Sequence, residues 1–489
     1  MKIMTSAFAP VAVGLLLLVG CIAAPTPESA RQTWEPKGNA NQTDPVWTVL
    51  RRREADPSKP LTLADLTDLA LHNQAATREA WHKARAAAAQ VDQAQGLFMP
   101  VVTATVSGTR QGVSASPDTF DSESLRWGPG LQVNYLIVNF GGGRAAAVKQ
   151  ALQTVYAANY TFNQTLQDVL LSVETAYYAQ ISAEAAVTAA VAGVTDAAQA
   201  LETAQARSKA GVGTELDILQ ARTAHDQALF NQAAARGQLR AAQGALAVAV
   251  GLPADTRLVT VPPTEEIPPR LDSADIRRMV NEAIGRRADI AALRANLEAR
   301  HAAVQVAHAG SWPSLYLSGG VSRDFATWYE GAPNAGDRDW SYSVGLRLSW
   351  TLFDGWQTES EIRIAEEQAK AAQAQLEQAE LAASADVWTR FHAYETAQEK
   401  VHFSTAFLAS ATAAQSLAKE AYRAGLKTFL DQLTADTQLA LARSQQIAAR
   451  QEVFTALIGL AHAAGLLREG PFGGASTLFA DTQRKEIQP

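Results

Sequence analysis

The residues best suited to chemistry lie in two copies of one short motif, at 209–219 (KAGVGTELDIL) and 423–433 (RAGLKTFLDQL). Both fit the pattern basic-A-G-x-x-T-x-L-D-x-L. The glycine permits the left-handed backbone that ends a helix, the threonine can cap the next helix, and the aspartate falls in its first turn. The residues concerned are Gly211, Thr214 and Asp217 in the first copy and Gly425, Thr428 and Asp431 in the second. The motif predicts a helix–turn–helix tip, whose acids either cap a helix only or also serve a function.

The rest of the sequence lacks the patterns of catalytic or metal-binding sites. It has eight histidines but no HExxH, and His301 and His308 have no third ligand at metal spacing. The run Gly141–Arg144 lacks the G-K-[ST] of a phosphate loop, so we interpret it as a strand exit that needs backbone freedom. No enzyme activity, metal or cofactor is expected.

The single cysteine, Cys21, follows a short apolar run, 11–19, which is typical of a signal peptide. The preceding Leu18-Val19-Gly20 resembles the bacterial lipobox, in which the cysteine is lipid-modified and becomes the first mature residue. Position 22 is Ile rather than the Asp of an inner-membrane retention signal, which favours the outer membrane. The alternative is ordinary cleavage near Ala23-Ala24, with Cys21 discarded.

Composition excludes several classes of protein. The chain of 489 residues carries 42 basic and 49 acidic side chains, a net charge of −7, so it has no basic footprint for nucleic acid. One cysteine cannot form an intrachain disulfide. No run after the leader reaches about 18 continuous apolar residues, so a membrane crossing would have to use strands.

Two halves of the chain follow one plan. The two turn glycines are 214 residues apart (425 − 211), Pro313 follows Pro100 by 213, and Gly345 follows Gly130 by 215. These offsets predict a tandem duplication. The predicted segments are a signal peptide at 1–20, a proline-rich leader at 21–60, repeats at 61–251 and 271–467, a linker at 252–270 and a flexible tail at 468–489.

Each repeat is predicted to run helix, two strands, long helix, turn, helix. In the first repeat, residues 61–97 are helical by composition, 144–209 contain no proline, and 215–251 form a returning helix. The second repeat has its long helix at 358–423. A helix of 66 residues spans about 100 Å, and the two shorter helices could lie end to end along it. This predicts a shaft too long for a globular domain.

The four predicted strands, at 101–107, 131–137, 313–318 and 342–352, alternate like membrane strands. In the last, Tyr342, Val344, Leu346, Leu348, Trp350 and Leu352 alternate with Ser343, Gly345, Arg347, Ser349 and Thr351. About eleven such residues suit a tilted membrane strand with lipid outside and water inside, although a soluble sheet with one solvated face also alternates. The segments 108–129 and 321–341 are predicted external loops.

Four strands cannot close a barrel, and an open edge in hydrocarbon leaves backbone groups unpaired. Two chains would give eight strands, whose interior fills with side chains. Three chains would give twelve, enough for a lumen. A through-pore therefore requires at least three chains.

From about 61 to 467 the chain resembles the TolC family of outer-membrane efflux proteins, and with its lipobox it resembles the lipoprotein branch. The resemblance rests on the segments 60–66 (PLTLADL), 139–142 (NFGG) and 352–355 (LFDG) together with the paired turn motifs. It implies a fold that is mainly α with membrane β: a homotrimeric 12-stranded barrel, four strands per chain, continued by a long α-helical coiled-coil tunnel through the periplasm.

The resemblance also implies a role for the tip. In the family the tip is the closed periplasmic mouth and the contact surface for an adaptor, with an acidic ring at the position of Asp431. Tyr422 and Lys427 match an aromatic and a basic latch position, with Asp217 on the neighbouring hairpin as partner. Thr434 stands where some relatives have a second acid.

We therefore expect a passive exit duct for drugs, toxic compounds or metal ions. It would act with a periplasmic adaptor and an inner-membrane pump of the resistance-nodulation-division class, in contact with outer-membrane lipid. A duct for type I protein secretion shares the family and fold. A trimeric surface coiled-coil adhesin is the alternative from another class, and the duplicated strand pairs argue against it.

Overall fold

The computed structural model describes Ser29 and residues 60–113, 122–262, 276–329 and 338–467; Cys21, the leader and the tail lie outside the described residues. The helices of the first repeat are α1 (Leu63–Asn73), α2 (Ala75–Gly96), α3 (Gly143–Lys209) and α4 (Glu215–Ala249). Those of the second are α5 (Ile276–Arg286), α6 (Ala288–Ala309), α7 (Gln357–Arg423) and α8 (Phe429–Ala463). The strands are β1 (Val101–Val113), β2 (Ser122–Asn139), β3 (Ser314–Tyr329) and β4 (Arg338–Ser349).

The helices confirm the duplication. Helices α3 and α7 each have 67 residues, and α4 and α8 each have 35. The shorter pairs also match, with 11 residues in α1 and α5 and 22 in α2 and α6. The first residues of α3 and α7 are 214 apart (357 − 143). Every helix in the described ranges thus has a counterpart of equal length.

The helical shaft is built as the sequence predicts. Helix α3 packs along both α2 and α4, and α7 packs along both α6 and α8. A helix of 67 residues is about 100 Å long, and the 22 and 35 residues of its two shorter partners together cover most of that length. One 18-residue window of α3 reaches a mean hydropathy of 1.2, apolar enough by composition for a membrane span. The whole helix is about three times longer than a bilayer is thick.

The first predicted helix, 61–97, is wrong as a single element. It breaks at Gln74, where the backbone is extended (φ −65°, ψ 129°), and so divides into α1 and α2. The Gln74 amide Nε2 donates to the carbonyl of Ala249 at 3.1 Å, while its Oε1 accepts from the N–H of Ala75 at 3.0 Å. The break exists because the end of α4 meets the chain here.

The largest hydrophobic core surrounds the middle of the shaft. The aromatic side chains of Tyr177, Phe391 and Tyr394 are each at most 2% exposed there. The ring of Tyr178 stacks on Phe454 at 4.7 Å, which joins α3 to α8. Helices α1 and α5 contribute to the same core, so this core connects the two repeats.

The four strands form one antiparallel sheet in the order β1-β2-β3-β4. Pairing continues into both predicted loops, so β1, β2 and β3 are longer than predicted: Gly108 lies opposite Trp127, and Val321 opposite Tyr342. Residues 108–113, 122–129, 321–329 and 338–341, which fall within the predicted loops, are therefore strand. The last strand begins four residues earlier than predicted but ends at Ser349, so the prediction of strand at 350–352 is wrong. Strands β1 and β4 are the two edges of the sheet, the arrangement that the closure argument requires.

Candidate functional site

The tip of the shaft holds a small core that joins the two helical hairpins. The Tyr422 ring of α7 and the Phe429 ring of α8 meet edge to face at 5.5 Å, and each residue is 2% exposed. They pack against three buried alanines of the first hairpin, Ala200, Ala204 and Ala221. The turn glycines Gly211 and Gly425 adopt the left-handed backbone, with φ of 78° and 77°. The tip is therefore a packed contact between the repeats.

Arg207 ties the end of one long helix to the other. Its Nη1 donates to the carbonyls of Tyr422 at 2.9 Å and Arg423 at 3.3 Å, and its Nη2 donates to Val212 at 3.4 Å. The guanidinium also lies 4.8 Å from the centre of the Tyr422 ring. The last carbonyls of a helix have no partner four residues further on, and the helix dipole favours a cation beside them. The Tyr422 carbonyl therefore accepts from Arg207 as well as from the N–H of Gly425 in the turn, at 3.0 Å. Arg207 thus links the end of α7 to the first hairpin.

Both threonines of the turn motifs cap the returning helices. Thr214 Oγ1 accepts from the N–H of Asp217 at 3.2 Å, and Asp217 Oδ2 accepts from the N–H of Thr214 at 3.2 Å. Thr428 and Asp431 repeat this reciprocal arrangement at 3.3 and 2.9 Å. Hydrogen bonds from the Thr428 backbone and hydroxyl, with the charge of Lys427, lower the pKa of Asp431. Asp431 therefore stays ionised at the tip.

Lys427, in the turn before α8, contacts the first turn of that helix. Its Nζ lies 3.9 Å from Asp431 Oδ1, and both side chains are exposed. Asp217 instead lies near Tyr422: burial raises the pKa of the Tyr422 phenol, the negative charge of Asp217 raises it further, and the charge of Arg207 opposes both. Within one chain the structure thus brings Asp217, Tyr422 and Arg207 together and leaves Lys427 with Asp431. Pairing of Lys427 with Asp217 of a neighbouring subunit stays a prediction.

A second polar contact between the repeats lies beside the tip. Gln415 Nε2 donates to Asp436 Oδ1 at 2.9 Å, and Arg443 lies 3.3 Å from Asp196 of α3. Burial raises the pKa of Asp436, and the nearby charge of Asp196 adds to the effect. Sequence reasoning missed Asp436 and Arg207. A signal exists, because their repeat counterparts, 214 residues away, are Arg222 and Ala421.

Gly141–Arg144 serves as the strand exit that its sequence predicts. Gly142 has a φ of 71°, and a Cβ on Gly141 would lie 2.6 Å from Ala309 Cα. Arg144 donates to the carbonyls of Leu136 at 2.6 Å and Ile137 at 2.7 Å. The segment therefore joins β2 to α3 rigidly.

No cluster of three or more histidine, cysteine, aspartate or glutamate side chains suited to a metal occurs within the described ranges. Of the two histidines that the sequence singles out, His308 lies 4.0 Å from Glu366 and 54% of its side chain is exposed. The pair thus has the character of surface helix histidines.

The fold and its tip define a class of long-shafted membrane channels. The sequence profile of the outer membrane efflux protein family matches residues 66–252 and 279–466, one match for each repeat. The chain belongs to this family.

Individual proteins also resemble the chain over most of its length. The chain is 28% identical to "Protein CyaE" of Bordetella pertussis, with 88% of each chain covered. It is 28% identical to the "Pyoverdine export outer membrane protein OpmQ" of Pseudomonas aeruginosa, with 78% of this chain and 81% of the relative covered. The structure of the outer membrane protein VceC of Vibrio cholerae superposes with a TM-score of 0.72 at 22% identity, covering 82% of this chain and 96% of that one.

These findings establish the architecture and the general role. The chain supplies four strands of a homotrimeric 12-stranded barrel, continued by a helical tunnel in the periplasm. It is an outer-membrane channel component of an efflux system.

Proposed function

We propose that this chain is a passive exit duct whose periplasmic mouth is held closed at the tip by contacts between its two helical hairpins. A periplasmic adaptor docks on the turns at 211–214 and 425–428, and an inner-membrane pump of the resistance-nodulation-division class supplies the drive. The duct catalyses no reaction of its own.

The contact of Arg207 with the end of α7 carries the proposal. It joins α3 to α7 at the end of the shaft farthest from the strands, where a small relative movement of two hairpins changes the diameter of an opening most. Its partners are main-chain carbonyls, so sliding α7 away breaks two hydrogen bonds at once. Asp431 is exposed and ionised in the first turn of α8, which supports a role as one acidic residue per chain at the mouth.

Arg207→Ala should open the mouth in cells. We expect a strain that carries this variant to keep efflux of a fluorescent dye while becoming permeable to large hydrophilic antibiotics. Lys427→Ala should leak less, because an exposed ion pair contributes only about 0–1 kcal/mol. Arg236→Ala on the exposed side of α4 is the matched control. Loss of efflux without leakage in Arg207→Ala would contradict the proposal that Arg207 keeps the mouth closed. Dye efflux unaffected by deletion of the whole chain would contradict the proposal that the chain is an exit duct.

We also infer that Cys21 is acylated and anchors the chain to the outer membrane. The lipobox-like sequence before it and the proline-rich leader after it support this role. Cells fed a clickable palmitate analogue should label the wild type, and Cys21→Ser should abolish the label. A labelled Cys21→Ser variant, or an unlabelled wild type, would contradict acylation.

A further inference from the structure

The apolar face of the sheet carries two belts of aromatic residues. Trp340 of β4 and Trp350, which directly follows the end of β4, are ten residues apart, and both are more than half exposed. Ten residues of a strand tilted by about 40° rise about 25 Å, the height of the apolar band of a membrane barrel. Trp350 lies at the helical, periplasmic end, where its Nε1 donates to Ser311 at 3.1 Å. The belt at Trp340 therefore lies in the outer leaflet.

The outer belt is a connected group of three rings, which we call the outer girdle: Trp127, Phe325 and Trp340. The Trp127 and Phe325 rings stack at 4.6 Å. Arg323 of β3 lies between the last two rings, with its guanidinium carbon 5.3 Å from the Phe325 ring and 5.4 Å from the Trp340 ring. The girdle thus holds one cation in a fixed position.

Strand register places Arg323 on the lipid-facing side. Arg323 lies opposite Trp340, and the next pair on the same face is Val321 with Tyr342, which is 87% exposed. The intervening pair, Ser322 with Ser341, faces the other way and joins its hydroxyls at 2.6 Å. A row of serines and glycines suits a lumen, and the aromatic and aliphatic row suits lipid.

An arginine on the lipid side needs an anion. The Nε atom of Arg323 is buried with no hydrogen-bond partner among the described residues, so packing against the rings has removed water from part of the guanidinium. Aromatic faces compensate a cation only partly, whereas the planar fork of a guanidinium matches the oxygens of a phosphate. Phosphates lie at this depth in the headgroups of the outer leaflet.

We propose that Arg323, Phe325 and Trp340 form a binding site for the phosphate of an outer-leaflet phosphorylated glycolipid, one site on each subunit of the trimer. The aromatic rings orient the guanidinium, and its outward nitrogens donate to the phosphate oxygens. The site is independent of the gate at the tip, because the strands lie at the opposite end of the shaft from the tip.

Native mass spectrometry of the detergent-solubilised trimer, titrated with lipid A, tests the site. We expect the wild type to bind lipid A with both phosphates about fivefold more tightly than the dephosphorylated lipid, the gain expected from one arginine beside an anionic headgroup. Arg323→Gln should remove this preference, and Arg323→Lys should retain part of it. Arg126→Gln is the matched control, since Arg126 lies near the same level on the opposite face of β2.

Equal affinity of the wild type for the two forms of lipid A would overturn the proposal, even if Arg323→Gln failed to assemble. Unchanged preference in Arg323→Gln would overturn it too. Equally tight binding of phosphatidylglycerol would overturn the assignment to a glycolipid, because the site would then accept any anionic lipid. Loss of the preference in Trp340→Leu, which leaves the charge intact, would support the role of the rings.

Discussion

The two repeats match in every helix length but differ in the side chains that join their helices. In the first repeat, the neutral Gln74, between α1 and α2, contacts the end of α4. In the second repeat, Arg287, between α5 and α6, contacts the end of α8. At the tip, Arg207 of the first repeat corresponds to Ala421 of the second. The lengths agree because both hairpins must cover the same shaft. The joining residues differ because each half has different neighbours.

The largest expected effect on the free energy of unfolding comes from Arg287, which joins the end of α8 to the segment between α5 and α6. Arg287 contacts Asp289 at 2.8 Å, Asp386 at 3.0 Å and the carbonyl of Ala463 at 3.3 Å, with 14% of its side chain exposed. Arg287→Ala should cost about 2–3 kcal/mol, somewhat less than a fully buried ion pair, because both acids keep some contact with water. Gln74→Ala should cost about 1 kcal/mol. Urea unfolding of the two variants measures the difference, and equal losses would contradict the asymmetry.

The pH dependence of stability provides a check on the same contact between Arg287 and Asp289. Burial pushes the pKa of Asp289 upward, but the hydrogen bonds and charge of Arg287 outweigh it and hold the pKa below its ordinary value of 3.8. A lowered carboxyl pKa stabilises the fold above 3.8, and that contribution is lost as the pH falls through the folded-state pKa. The difference between Arg287→Ala and the wild type should therefore shrink below about pH 4. A difference independent of pH would indicate lost packing alone.

A smaller effect, a gain in stability rather than a loss, is expected on substitution of Asp436, whose counterpart in the first repeat is Arg222. Burial raises the pKa of Asp436, so the folded state binds its proton more tightly than the unfolded state does. This contribution favours folding at low pH and is lost as the pH rises through the raised pKa. Asp436→Asn keeps an oxygen to accept from Gln415 and should stabilise the chain at pH 7 by about 0.5 kcal/mol. The gain should vanish below about pH 4, and destabilisation at pH 7 would contradict the account.

Local signals account for what the sequence predicts well. The long helices begin within one residue of the predicted 144 and 358, since each follows a strand exit that contains glycine and runs without proline to a turn glycine. Contacts between distant residues account for what it misses. The break at Gln74 depends on Ala249, 175 positions away, and the role of Arg207 depends on Tyr422, 215 positions away. Strand lengths were underestimated because pairing with a partner continues through the glycine and serine residues that resemble a loop.

The closed-state conductance of the purified trimer in a planar bilayer tests the central claim most directly. If Arg207 holds the second hairpin against the first, Arg207→Ala should raise the closed-state conductance severalfold over the wild type, while the control Arg236→Ala leaves it unchanged. A closed-state conductance of Arg207→Ala equal to that of the wild type would show that the contact between the repeats does not close the channel.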